Sequence, residues 1–273
     1  MRLAIWNTPS AEFFLSGITS GAVSPDLEIV REPPRVCAAL LEQAAVDVAL
    51  VPTLSAARAP DTFDLLPAVA LASWKYPFAQ IVLRRGLGEP IRGVAFDPVY
   101  ATEALVTRVV LREHYGSETT FKPYPAPSVT QLLDAPEDAS LIVGNDVPFL
   151  QTDRLALDLG QEWYELSNYP MVWGLFAARK GEGTAAMVHT LRAAAEAADA
   201  QRGVWVQAQE TSPVLHEFYR DDLRVRLDDL AVASLTEFCH QLFYIDILDE
   251  IPELPFITLA EEDSREKGTA SEE

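Results

Sequence analysis

Short, nearly continuous apolar runs alternate along this chain with stretches in which apolar residues recur every three or four positions. That is the pattern of buried strands followed by amphipathic helices. The first run, residues 2–6, leads directly into Asn7, Thr8, Pro9 and Ser10 and a helical stretch through Leu15. A second strand at 27–30 precedes a helix opened by Pro33 and Pro34, with Val36, Leu40 and Leu41 at helical spacing. A third run, Val46 to Val51, ends in Pro52 and Thr53. Short connections between strand, helix and strand imply parallel pairing with right-handed crossovers, so the strand ends at Asn7, Pro34 and Thr53 can face one crevice.

Two long apolar runs, 65–73 and 78–84, flank Trp74, Lys75, Tyr76 and Pro77 and carry the chain out of a first lobe into a second. A new series begins with a strand at 92–97 and a helix from Ala101 to His114 that turns Val106, Val109 and Val110 inward and holds Thr102 in its first turn. A strand at 119–124, a short helix at 129–133 and a buried strand at 139–144 follow, the last ending in Gly144, Asn145 and Asp146. From Asp158 to Ala177 a polar helix stops before Pro170 and becomes an apolar strand that returns the chain to the first lobe. Helical segments then run from Thr184 to Leu248, with Phe238, Phe243 and Tyr244 read as core. These patterns predict an α/β protein with lobe one formed by 1–85 and 176–259, lobe two by 86–175, and a polar acidic tail at 260–273.

At 273 residues with 49% hydrophobic content, the chain is long enough for a sizeable core. Its 41 acidic residues outweigh 21 basic ones and give a net charge of −20, which opposes binding to nucleic acid or to an anionic membrane surface. Such a surface suits a solvated acidic shell of the kind that keeps proteins soluble in high salt. No apolar run approaches the ~20 residues of a membrane span, and Met1 to Asn7 lacks a signal-peptide core, so a cytoplasmic location is expected. Cys37 and Cys239 read as buried thiols.

Candidate chemistry is sparse. Phosphate-loop, dinucleotide, zinc-protease and nucleophile-elbow motifs are absent, no metal-ligand spacing occurs, and His114, His189, His216 and His240 all fall in helical patterns. What the chain offers instead is polar groups at strand ends. Asn7, Thr8 and Ser10 serve equally as helix caps or as cleft groups, and Gly144 to Asp146 as a plain turn or an anion-binding nest. An enzyme so built works by positioning and polar stabilisation in a closed cleft.

Two stretches resemble one family. The segment Pro33 to Leu41 with Val46 to Thr53, and Leu157 to Trp163 with Tyr169 to Trp173, are similar to the chorismate dehydratases of the futalosine route to menaquinone, in the same order over roughly residues 1–255. The resemblance implies a two-lobed fold like the type II periplasmic binding proteins, with mixed, mainly parallel sheets. It implies a hydro-lyase that needs no cofactor or metal and takes a small anionic metabolite. Carried over position by position, Asn7 and Ser73 become the catalytic candidates that orient the departing oxygen. Thr8, Thr53, Tyr76, Thr102 and Asn145 become substrate-binding candidates. With no side-chain base evident, the proton passes to the substrate's own carboxylate.

The helix start of the second lobe departs from the family's hydroxyl-rich pattern. It reads Asp97, Pro98, Val99, Tyr100, Ala101, Thr102, Glu103, retaining only Asp97 and Thr102 and adding an acid where a dianion needs donors. Two alternatives therefore stand beside the dehydratase: a non-catalytic two-lobed protein that binds a small metabolite or a different anionic ligand, and a sister enzyme that splits a cyclic futalosine derivative.

Overall fold

The computed structural model describes residues 1–22, 27–208 and 212–259; the expected acidic tail lies outside the described residues. The chain opens with β1 (Arg2–Trp6), α1 (Pro9–Gly17), β2 (Glu28–Glu32), α2 (Pro34–Glu42), β3 (Val48–Pro52) and α3 (Thr53–Arg58). β4 (Phe63–Ser73) and β5 (Ala79–Leu83) lead to β6 (Gly93–Phe96), α4 (Ala101–Val109), β7 (Thr120–Pro123), α5 (Val129–Leu133), β8 (Ala139–Val143) and β9 (Ala156–Asp158). α6 (Leu159–Ser167), β10 (Met171–Arg179), α7 (Ala185–Ala200), α8 (Arg202–Ala208), α9 (Pro213–Glu217), β11 (Leu223–Arg226) and α10 (Asp229–Tyr244) complete it.

Two mixed sheets result, in the orders β11-β4-β10-β3-β1-β2 and β7-β6-β8-β5-β9. β2, β1 and β3 are parallel, as are β7, β6 and β8, each set built by helical crossovers. β10 runs antiparallel between β3 and β4, and β5 antiparallel between β8 and β9, because these strands carry the chain between sheets. The antiparallel share is thus larger than the βα repeat alone predicts. In the first sheet the carboxyl ends of β1, β3 and β4 lie at one edge; in the second, those of β6 and β8 do, next to the start of β5.

Sheet membership changes earlier than the boundaries expected at 85 and 175. β5 already belongs to the second sheet and β10 wholly to the first, so the crossings are residues 74–78 and 159–170. β5 pairs with β8 from Ala79 onward, which pulls the start of the second lobe back to the hinge.

The crossings are fastened to each other. Asp158 caps α6 by accepting a hydrogen bond from the Gln161 N–H (2.9 Å), and the same oxygen accepts one from the Tyr76 N–H (2.7 Å). A Cβ on Gly160 would lie 2.7 Å from both Lys75 C and Tyr76 N, so only glycine lets the outgoing chain touch the helix that brings it back. Asn168, in the left-handed conformation at φ 62°, ends α6 two residues before Pro170. Trp163, fully buried, donates from its indole N–H to Ser234 Oγ (3.2 Å) and ties α6 to α10.

Both lobes contribute to one large apolar cluster that includes Tyr76 and Phe78 at the hinge, and a smaller one of Val82, Ala95, Leu132, Ala135, Ile142 and Val147 lies in the second lobe. Cys37 and Cys239 are buried free thiols, as expected. Phe238 is core, whereas Phe243 and Tyr244 are 38% and 62% exposed, because they lie on the outward face of the last turn of α10 while Leu242 of the same turn is buried. β9 and β11 replace coil and helix in the sequence reading; each is a strand of three or four residues, too short for a clear alternation.

Candidate active site between the lobes

α1 follows β1 with hardly a connection, which places its first turn at the carboxyl edge of the first sheet. Thr8 occupies the N-cap position in an extended conformation but makes no side-chain cap bond. Thr8 Oγ1 and Ser10 Oγ are buried without a hydrogen-bond partner, although Ser10 is only 3% exposed. Such groups cost stability unless something satisfies them, so capping does not account for this polar stretch. Asn7 stands exposed beside them, its backbone N–H donating to Glu32 O at 3.0 Å.

The hinge supplies the floor. Tyr76 stacks on Trp173 of β10 with ring centroids 4.2 Å apart and meets Phe78 edge-on at 5.6 Å. Ser73, with no exposed surface, accepts from the Trp173 indole N–H at 2.8 Å. Thr53, 1% exposed, donates to Val172 O at 2.6 Å. These two hydroxyls hold the strands beneath Trp173 in place and do not reach the cleft surface. Tyr76 is also buried, and its phenol lies beside Ser10 without a well-aligned hydrogen bond between them.

From the second lobe, α4 starts at the carboxyl end of β6 and packs against both α3 and α10 of the first. Asp97 accepts from the Val99 N–H (3.1 Å) and shapes the turn into α4, where Thr102 is buried. Glu103, half-buried in the same turn, has its carboxyl pushed up to about 7 by loss of water, against the pull of its own backbone N–H. Its charge is felt at the phenols of Tyr76 and Tyr100, both already held high by burial. Gly144, at φ 152°, turns the chain after β8 and donates its N–H to Phe78 O at 2.9 Å; Asn145 next to it is exposed.

Of the sequence candidates, Tyr76 lies at the hinge against Trp173, and Ser73 and Thr53 are engaged by Trp173 and Val172 O; Asn7 and Thr8 follow β1, Thr102 is in the first turn of α4 and Asn145 follows β8. Ser10 and Glu103 stand outside the sequence candidates. Ser10 is indistinguishable in sequence from a helix cap, and Glu103 reads there as a fixed charge; burial gives each its character.

Behind the hinge, Lys75 pairs with Glu217 (2.5 Å) and faces Asp222, whose carboxyl burial lifts to about 6 despite that lysine. Among the described residues, one group has metal-ligand proximity: His114, Glu162 and Glu165, on the turn after α4 and on α6. Tyr115 donates to Glu162 Oε2 at 2.7 Å, which already engages the buried member. A surface depression of about 460 Å³ beside α5, lined by Tyr124, Pro127, Ser128 and Gln131, shares none of the cleft residues.

Two mixed sheets with helices, joined by two crossings of the chain, define a two-lobed fold of the periplasmic-binding-protein type. Solved structures with this fold include the aliphatic sulphonate-binding protein SsuA of Escherichia coli (TM-score 0.64, 12% identity, covering 99% of this chain and 97% of that one). An ABC transporter protein of Parabacteroides distasonis (0.65, 13%, 95% and 98%) and a structural-genomics protein of Archaeoglobus fulgidus (0.64, 17%, 90% and 98%) are similar too. No curated protein matches the chain significantly in sequence. The family described as "Menaquinone biosynthesis" matches residues 1–243, and the chain belongs to this chorismate dehydratase family. No helix of the described residues is long and apolar enough to cross a membrane.

Proposed function

We propose that the chain is a chorismate dehydratase, eliminating water from chorismate to give 3-[(1-carboxyvinyl)oxy]benzoate in menaquinone biosynthesis. The observation that supports this reading is the pair of buried hydroxyls without a hydrogen-bond partner, Thr8 and Ser10, at the strand end where α1 begins, in a chain of this family. The C3–H and C4–O bonds of chorismate break, a C3=C4 bond forms, and water leaves. Aromatisation drives the step, which balances without a cofactor or metal. The substrate is a small anionic metabolite of the cytoplasm, and the enzyme works there without nucleic acid or membrane.

In this reading Asn7 orients the departing hydroxyl, while Thr8, Thr102 and Asn145 donate hydrogen bonds to the substrate's carboxylates. Tyr76 supplies the apolar face against which the ring lies, and Ser73 and Thr53 act from beneath by fixing Trp173 and β10.

Purified protein with chorismate, followed by ultraviolet absorbance and product mass, should give the benzoate. The second reading, a binding protein for another anion, is favoured by Val99, Tyr100 and Glu103 standing where hydroxyls are expected. It requires a thermal shift with chorismate or a related carboxylate and no product at all.

A further inference from the structure

We propose that His114, Glu162 and Glu165 form a binding site for a divalent transition-metal ion of the zinc type, which pins the end of α4 to α6. The proposal is independent of the dehydratase reading, since it concerns neither the substrate nor the elimination.

The three side chains converge from two elements. α4 runs on beyond Val109 in one wide π-helical turn, Val110–His114, that packs against α6 and ends on the histidine. Glu162 and Glu165 lie three positions apart on α6, so one face of that helix carries both carboxylates. One donor atom from each of the three lies within 4.8 Å of the others, and His114 Nε2 is 4.0 Å from Glu165 Oε2. Zinc bonds of ~2.0–2.2 Å set tetrahedral donors roughly 3.3 Å apart. His114 and Glu165 are partly exposed and can rotate inward by that difference, while Glu162 is held by burial.

A charge without a counter-charge points to the ligand. Glu162 is 5% exposed, yet among the described residues neither it nor Glu165 pairs with a lysine or arginine. Arg112, close by in sequence, is engaged by Glu113 (3.2 Å) and Glu118 (3.8 Å). A buried carboxylate is normally paired or bound to a metal, because the loss of its water is otherwise not offset. Even a protonated His114 would balance only one of the two acids.

The carboxylates are also aimed as metal ligands are. Tyr115 donates to Glu162 Oε2 at 2.7 Å, and Gln161 Nε2 donates to Glu165 Oε1 at 2.8 Å. Each acid thus has one oxygen fixed by a neutral donor and the other without a hydrogen-bond partner among the described residues. One imidazole with two carboxylates suits zinc, with manganese or cobalt as substitutes, whereas magnesium and calcium prefer all-oxygen sets. His114 lies far along the helix from Thr102, roughly 18 Å at 1.5 Å per residue, so the ion fastens helices and takes no part in the elimination. What it fastens is α6, whose Asp158 and Gly160 hold the hinge.

The test titrates the metal-stripped full-length protein with zinc chloride, by calorimetry and by thermal denaturation, with magnesium chloride beside it. Wild type should bind one zinc ion per chain and melt about 5 °C or more higher at a hundredfold excess over Kd. His114→Ala and Glu162→Gln should each weaken binding by about 100-fold or more, and Tyr115→Phe by about 10-fold at unchanged stoichiometry. His189→Ala, exposed on α7, should bind as wild type does. His114 is exposed, so its variant should melt with wild type in the absence of metal and keeps the test decisive if Glu162→Gln does not fold. Wild-type affinity in His114→Ala would place the ion elsewhere on the acidic surface and overturn the proposal. Equal stabilisation by magnesium, or no saturable zinc binding at all, would overturn it too.

Discussion

Glu103 bears on stability. Its carboxyl is raised from an ordinary 4.5 to about 7 in the fold, so the folded protein binds a proton that the unfolded chain has released. Stability is therefore intact below about 4.5, falls as pH rises from there to 7, and carries the full cost above that. Allowing for its partial exposure, the cost is ~2 kcal/mol. Glu103→Gln should then melt above wild type at pH 8 and level with it near pH 4, measured by thermal denaturation at both. An equal offset at the two pH values would mean that something other than buried charge is being relieved. Sequence could not deliver this. An acid in the first turn of a helix reads as a favourable dipole partner, and only burial in the fold removes its water. Ser73 and Thr53 show the reverse error: their positions at strand ends were legible, but not the indole and the carbonyl that occupy their hydroxyls.

At the scale of elements, the stretch from Asp158 to Ala177 was the most legible part of the chain. A polar helix and an apolar strand were both readable from period and punctuation, and both are present as α6 and β10. Its role was not readable, because Asp158 and Gly160 act on Lys75 and Tyr76, far away in sequence. The aspartate binds the outgoing chain and the glycine makes room for it. Gly160→Ala should cost ~1–3 kcal/mol, since the new methyl meets backbone atoms that cannot rotate aside. The expected drop in melting temperature is about 5 °C. Gly203→Ala, with no heavy atom within 4 Å of the added methyl and a place in α8, is the control and should be neutral or slightly stabilising. Equal melting temperatures for both variants would show that the crossings are not held this tightly. The same long-range dependence hides the crossings between sheets: sheet membership of β5 and β10 depends on partners beyond any local window.

Across the whole molecule two features oppose each other. The two lobes share one large apolar core, while the chain carries a net charge of −20. The charge was legible from composition and the sharing of the core between lobes was not, since it includes Tyr76 and Phe78 at a point that reads as a linker between lobes. The ion pairs that relieve the surface are mostly half-exposed, such as Arg2 with Glu28 and Arg31 with Glu12, and pairs of that kind contribute ~0–1 kcal/mol each. They cannot offset a two-to-one excess of acid over base. At low salt the compact state must therefore hold like charges together over distances comparable to the screening length, ~10 Å at 0.1 M. At 1 M that length is ~3 Å, and most of the repulsion between separate side chains is gone. The melting temperature should accordingly rise steadily with sodium chloride between about 0.05 and about 1 M, with potassium chloride giving the same curve because screening depends on ionic strength and not on the cation. A flat response would mean that the acidic residues are spaced widely enough not to interact. A response to only one cation would point to specific ion binding in place of screening.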